Sequence, residues 1–207
     1  MKLFIVRHGL SRSNRLATYS EPGTPLAEEA KALLQPVKAY LKTKQFDRVY
    51  ASDYKRAMDT ARILGFPDPV KEARLRERNF GVFIGKNHEE CSRELGDAYR
   101  AFLEDPLSYR IPEGESFDDV CDRVWSFLDE ISEQERKAET QVVGFRPQAA
   151  SSEQVLIVCH FNVMCACLCW IFENRHLGPH LVTENGGILQ IEVAGPLKTL
   201  HIECFKN

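Results

Sequence analysis

Short, unbroken apolar runs alternate along this chain with longer stretches in which apolar residues recur every three or four positions. Leu3-Phe4-Ile5-Val6 is the first run: too short for a helix, rich in strand formers and without polar alternation, the pattern of a strand covered on both faces. Arg48-Val49-Tyr50-Ala51 and Val155 to Cys159 read the same way, which implies a central parallel sheet. Between them the helical period takes over. A helix is predicted from about Pro25 to Leu41 with proline at its start, and another over Tyr54 to Leu64 after a Ser52-Asp53 cap. Two short helices are expected between Asn87 and Glu104. The clearest helix runs from Ser116 to about Glu135, because Phe117, Val120, Val124, Leu128 and Ile131 share one face and Ser116 to Asp119 resembles a capping box. Phe161 to Phe172 reads as an apolar helix, and Gly187 to Val193 with Leu197 to Phe205 as two last strands joined at Gly195-Pro196.

Strand, turn and helix alternate in the manner of a three-layer α/β/α sandwich with a mostly parallel central sheet. At 207 residues, and with no internal repeat, the chain 1–207 is read as a single domain. Residues 9–24 and Leu75 to Gly85 carry Gly, Ser, Asn and Pro with little periodicity and are read as loops; a helical cap is expected over about 82–112 and a surface loop over about 140–152. A net charge of -3 without a basic stripe excludes a nucleic-acid backbone as the expected partner, so an anion must be met by a local site. No apolar run suggests a membrane span, and the apolar start is cut short by Arg7 and His8, so no membrane partner is expected and cytoplasm is the default. Seven Cys without a CxxC pair fit reduced thiols better than a disulfide framework, and Cys165, Cys167 and Cys169 read as small core side chains of a helix. No metal or other cofactor is assigned: Gly178-Pro179 breaks the helix that would align His176 with His180. Oligomeric state stays open.

In open α/β sheets ligands bind beyond the carboxyl ends of the strands. Two histidines, His8 and His160, each follow at once on a buried strand. One histidine so placed is ordinarily structural; two at matched positions, one beside an arginine, point to catalysis. Arg7 and Arg56 offer planar, permanently charged forks that suit phosphoryl oxygens, Arg56 from the first turn after a strand end.

These residues carry a resemblance. Val6-Arg7-His8-Gly9 with Asn14 is similar to the signature of the histidine phosphatase superfamily, which includes phosphoglycerate mutases and fructose-2,6-bisphosphatases. Ala51 to Ala61, with Arg56, resembles the segment bearing that family's second phosphate-binding arginine. Leu75 to Gly81 resembles the segment with its acid-base Glu, here Glu77; Gly114-Glu115-Ser116 resembles the turn before its long helix, and Val155 to His160 the strand with its second histidine. The matches keep the family's order from residue 3 to about 193. The resemblance implies a phosphoglycerate mutase-like fold and a phosphohistidine on His8, with Arg7, Asn14, Arg56 and His160 around the phosphoryl oxygens and no metal. It makes Glu77 the general acid and base, a role that needs a proton near neutral pH; a surface charge among Arg74, Arg76 and Arg78 is the alternative reading.

Departures from the pattern bear on the activity. Leu10 stands where mutases and bisphosphatases have Glu or Gln, Phe161-Asn162 where the family commonly has Gly, which narrows the pocket, and Ala30 where Gly is common. No Arg-Arg pair lies between Glu77 and Gly114, where the family's mutases carry one; Arg93, Arg100 and Arg110 are isolated candidates for a second anion contact. The reading is therefore a phosphatase acting on a small phosphorylated substrate, a phosphoprotein being possible, with a mutase and a non-catalytic phospho-ligand binder as alternatives. The loops 10–24, 82–112 and 140–152 are expected to set specificity.

Overall fold

The computed structural model describes residues 1–141, 153–180, 183–194 and 197–203. Six strands form one sheet in the order β3-β2-β4-β1-β5-β6: β1 Lys2–Arg7, β2 Arg48–Ala51, β3 Val70–Lys71, β4 Gln154–Cys159, β5 Ile188–Ala194 and β6 Leu197–Glu203. The first four are mutually parallel, and β5 runs antiparallel to both its neighbours. Apolar content on both faces of the central strands follows from this placement. Leu3 and Ile5 join Val155, Ile157 and Cys159 in a core under α7 (Phe117–Gln141) and α8 (Phe161–Phe172); Phe4 and Val6 join Leu156 and Val158 under α3 (Gln35–Leu41) and α4 (Lys55–Leu64). The fold is the three-layer, mostly parallel α/β arrangement expected.

The helix α7 buries Phe117, Val120, Val124, Leu128 and Ile131 on one face, and its capping box forms: the Asp119 N–H donates to Ser116 Oγ while the Ser116 N–H donates to Asp119 Oδ2. It continues six residues beyond the predicted Glu135, to Gln141. The helix thus takes in residues 140 and 141 of the expected loop, and 142–152, like the Gly195-Pro196 junction and the end of the last strand, lie outside the described residues. In α8 apolar residues face almost every direction, and Cys165, Cys167 and Cys169 are buried, as a helix enclosed by sheet, α7 and the chain after it requires. No helix among the described residues is long and apolar enough to cross a membrane.

Two predicted helix starts change, and one predicted loop holds a turn of helix. Residues 9–24 contain a one-turn helix, α1 (Arg12–Arg15), closed by reciprocal bonds between Ser11 and Asn14. The helix expected from Pro25 begins at Ala30, because Pro25 to Ala27 pairs with the loop after β1: Pro25 O accepts from Arg12 N and Leu10 O from Ala27 N. It is also split into α2 (Ala30–Leu33) and α3, where Pro36 has no N–H to continue the ladder. Ser52 and Asp53 do not cap α4. The Ser52 hydroxyl meets His160 at 2.8 Å and Asp53 takes the Arg76 fork at 2.8 and 2.5 Å, so α4 starts at Lys55 without a side-chain cap. Further along, α5 (His88–Glu94) and α6 (Gly96–Glu104) pack Cys91, Tyr99, Phe83 and Ile111 into a small core of their own.

Candidate active site

Strand register assembles the site. Pairing of Arg7 with Cys159 and of Ala51 with Val158 makes β1, β4 and β2 end together, and the ladder runs one residue on: His8 N donates to Cys159 O and Ser52 N to Val158 O. His8, His160 and Ser52 thus leave the sheet side by side. The imidazoles of His8 and His160 lie 5.1 Å apart, both buried.

Each ring has a defined face. His8 Nδ1 is 2.7 Å from Gly9 O, so it carries the proton, and Nε2 is left as an acceptor for Arg56 Nε at 3.2 Å. Burial, then the charge of Arg56, holds the His8 pKa well below the ordinary histidine range, against the Gly9 hydrogen bond that acts the other way. His160 is lowered in the same manner by burial and by Arg56 and His8. Both rings are therefore neutral near pH 7. His160 Nε2 meets Ser52 Oγ, which also accepts from Tyr54 N, while His160 Nδ1 is buried with no partner.

Arg56 is almost wholly buried. Its NH1 donates to Glu21 O at 2.9 Å, and the next turn of its helix ties it to the first loop: Thr60 Oγ1 donates to Arg56 O and accepts from Gly9 N. Arg7 lies across the Phe161 ring at 5.1 Å and donates one N–H to Thr183 O, but its Nε is buried and unpartnered. Burial lowers the pKa of both arginines, and Glu77 is the largest influence in the other direction for each. Glu77 itself is buried, with Oε1 accepting from Arg78 N at 2.9 Å and Asn162 N at 3.2 Å. It is not the surface charge of the alternative reading.

Asn14 belongs to the loop more than to the pocket wall. Its Oδ1 accepts from Ser11 N, Ser11 Oγ and Asn185 Nδ2. Asn185 was not anticipated; its Nδ2 also reaches His8 O at 3.1 Å, and Gly186 N donates to Arg7 O, so the turn before β5 clasps residues 7–9 from the far side. The one available signal was the Asn-Gly pair ahead of a strand. Ser52 was read as a cap and Thr60 only as part of a motif. Arg93, Arg100 and Arg110 stay outside: each is exposed and paired, with Glu94, Asp97 and Asp119 respectively.

Two cavities flank Glu77. One of about 230 Å³ is polar, lined by Tyr54, Arg76, Glu77, Asn79, Glu115 and Arg123. The other, about 270 Å³, is bounded by Asn162, Arg78 and a set of aromatic rings. Among the described residues no three His, Cys, Asp or Glu side chains gather as a metal site.

A mostly parallel sheet with two neutral imidazoles, one buried guanidinium group and one half-buried guanidinium group beyond its carboxyl edge defines a phosphoglycerate mutase-like α/β protein. The chain belongs to the histidine phosphatase superfamily (branch 1), whose model matches residues 3–201. It is 30% identical over 135 residues to the adenosylcobalamin/alpha-ribazole phosphatase of Salmonella typhimurium, covering 63% of this chain and 67% of that protein. It is likewise 30% identical over 135 residues to phosphoserine phosphatase 1 of Hydrogenobacter thermophilus, covering 63% and 64%. Its fold is similar to that of the alpha-ribazole phosphatase of Shigella flexneri, with a TM-score of 0.83, 25% identity, and 98% and 95% of the two chains covered.

Proposed function

We propose that this protein hydrolyses a phosphomonoester through a phosphohistidine on His8, without a metal. The observation that carries this reading is the pair of buried, unpartnered nitrogens, Arg7 Nε on the residue before a neutral His8 and His160 Nδ1 on the imidazole 5.1 Å from it. Buried polar groups without partners are costly, and a bound phosphoryl group would satisfy both. Ser52 Oγ, holding one proton, donates it to His160 Nε2, which leaves the ring proton on Nδ1 facing the ligand. His8 Nε2 then attacks phosphorus as Arg56 Nε turns from the ring to a phosphoryl oxygen. The P–O ester bond breaks and the leaving oxygen takes the proton of the Glu77 carboxyl. The cationic phosphohistidine keeps its Nδ1–H on Gly9 O. Water next attacks phosphorus, its proton passes to the Glu77 carboxylate, the P–N bond breaks, and phosphate departs with His8 neutral again. Arg7, Arg56 and His160 hold the equatorial oxygens, and the Asn14 amide nitrogen is a further donor.

Phosphatase names among the relatives support hydrolysis over transfer, and so does the pairing of Arg93, Arg100 and Arg110 with neighbouring carboxylates, which leaves no second anion cradle built from them. The test is p-nitrophenyl phosphate turnover in EDTA between pH 5 and 8. Wild type is expected to turn over and to retain phosphate in a form stable to alkali and labile to acid; His8→Ala is expected to lose at least about 10³-fold in kcat. Loss of turnover on chelation overturns the metal-free step, and unchanged turnover in His8→Ala overturns the nucleophile.

A further inference from the structure

The two cavities beside Glu77 differ in what they can receive. In the polar one every charge except Glu77 is already paired. Arg76 holds Asp53, and Arg123 holds both oxygens of Glu115 at 3.0 Å while donating to the backbone oxygens of Arg74 and Arg76. A leaving alcohol bearing a carboxylate finds no free counter-charge there, and one bearing an ammonium finds none but Glu77, whose carboxyl is the proposed proton donor. The other cavity is walled by Tyr19, Phe80, Phe102, Phe117 and Phe161. Its single charge, Arg78, spends three N–H donors on the carbonyls of Glu115, Pro106 and Tyr109, and has no carboxylate partner among the described residues. The Arg78 guanidinium stacks on Phe102 at 5.2 Å and Phe80 at 5.9 Å, so it extends the aromatic wall as a flat cation. Such a wall receives a π face, and its one charge, a cation, offers an ammonium group no carboxylate.

The aromatic cavity also lies one residue away from the reacting groups. Phe161 forms part of its wall and lies against Arg7, and Asn162, on its floor, donates to Glu77 Oε1. An ester with its phosphoryl group on Arg7 and its bridging oxygen toward Glu77 projects its remaining atoms there. We propose, resting on the phosphatase reading, that the substrate is a phosphomonoester of a small aromatic alcohol, whose ring fills this cavity. Its volume of about 270 Å³ lies near the low end for ligand pockets and suits one compact ring system.

The test compares primary alkyl esters of similar leaving-group acidity: 2-naphthylmethyl phosphate against glycerol-1-phosphate and O-phosphoserine. The aromatic ester is expected to lead in kcat/KM by at least about tenfold, chiefly through KM, since burying a ring is worth that much or more. In Phe102→Ser the ratio is expected to fall toward one. A binding measurement needing neither a variant nor turnover uses the wild type with 2-naphthylmethylphosphonate and methylphosphonate in a calorimeter, where the same tenfold preference is expected. Equal affinities, or a lead for glycerol phosphate or phosphoserine, overturn the aromatic assignment and leave hydrolysis standing. A tenfold binding preference without hydrolysis of any ester supports the cavity and sinks the activity instead.

Discussion

His8 and His160 are the residues on which chemistry and stability conflict. Both are buried and neutral, with folded pKa values well below the unfolded value of about 6.5. As pH falls through 6.5 the unfolded chain binds two protons that the folded chain refuses, so unfolding becomes easier on the acid side. Between pH 7.5 and 5.5 the wild type is expected to lose roughly 2–3 kcal/mol more of its unfolding free energy than the His8→Gln, His160→Gln double variant, measured by urea titration. Equal losses in the two proteins would mean that the rings are not held neutral. The same shift keeps His8 nucleophilic below pH 6.5, which is where an ordinary imidazole would begin to fail. At this scale the sequence was informative about the candidate side chains that the fold brings together and silent about their supports. Arg7, His8, Arg56, Glu77 and His160 carry their chemistry in their side chains and their position after strands. Asn185 and Thr60 act through bonds to main-chain atoms of distant residues, and no local pattern records such bonds.

At the scale of elements, apolar runs and helical periods located β1, β4, α7 and α8, because each buries a full face in the core, and β2, whose Ala51 is buried and whose Val49 and Tyr50 are partly so. The two-residue β3 has both residues exposed and left no pattern to read. Helix starts failed where a side chain had a stronger engagement elsewhere, as with Ser52 on His160 and Asp53 on Arg76. The segment carrying Glu77 is held by a backbone crossing that sequence can only hint at through glycine. Gly81 sits at φ +47°, where a Cβ would come within 2.0 Å of Pro112 O, and a Cβ on Gly114 would lie 2.4 Å from Asn79 O. Neither obstacle is a flexible side-chain end, so the two chain segments would have to part. Gly114→Ala is expected to cost at least about 2 kcal/mol and to lower phosphatase turnover with it, read by thermal unfolding and initial rates. Gly96→Ala, where a Cβ meets nothing within 4 Å, is the control and should leave both unchanged or slightly raise stability. Equal stability of the two variants would mean that the crossing is looser than drawn.

For the whole molecule, the aromatic cavity and the phosphoryl pocket are built from parts of the chain that share no local neighbourhood: Tyr19, Arg78, Phe102, Phe117 and Phe161 come from five separate segments. The layer order was legible from strand and helix alternation; the meeting of these segments was not, since it depends on loop paths. A fragment ending at Gln141 keeps β1 but lacks β4 and β5, the strands on either side of it. It is expected to show no cooperative urea transition by circular dichroism, and a sharp transition would show that the core can close without them.

That central place of β1 sets an order of events during synthesis. Its apolar run Leu3 to Val6 emerges well ahead of the residues that cover its edges, 154–159 and 188–192, which come 150 or more positions later. At about 5–20 residues per second the strand waits on the order of 10–30 s with both edges open. The segment that carries His8 is thus translated long before it can be assembled, and until then it is a ready template for pairing with a neighbouring nascent chain.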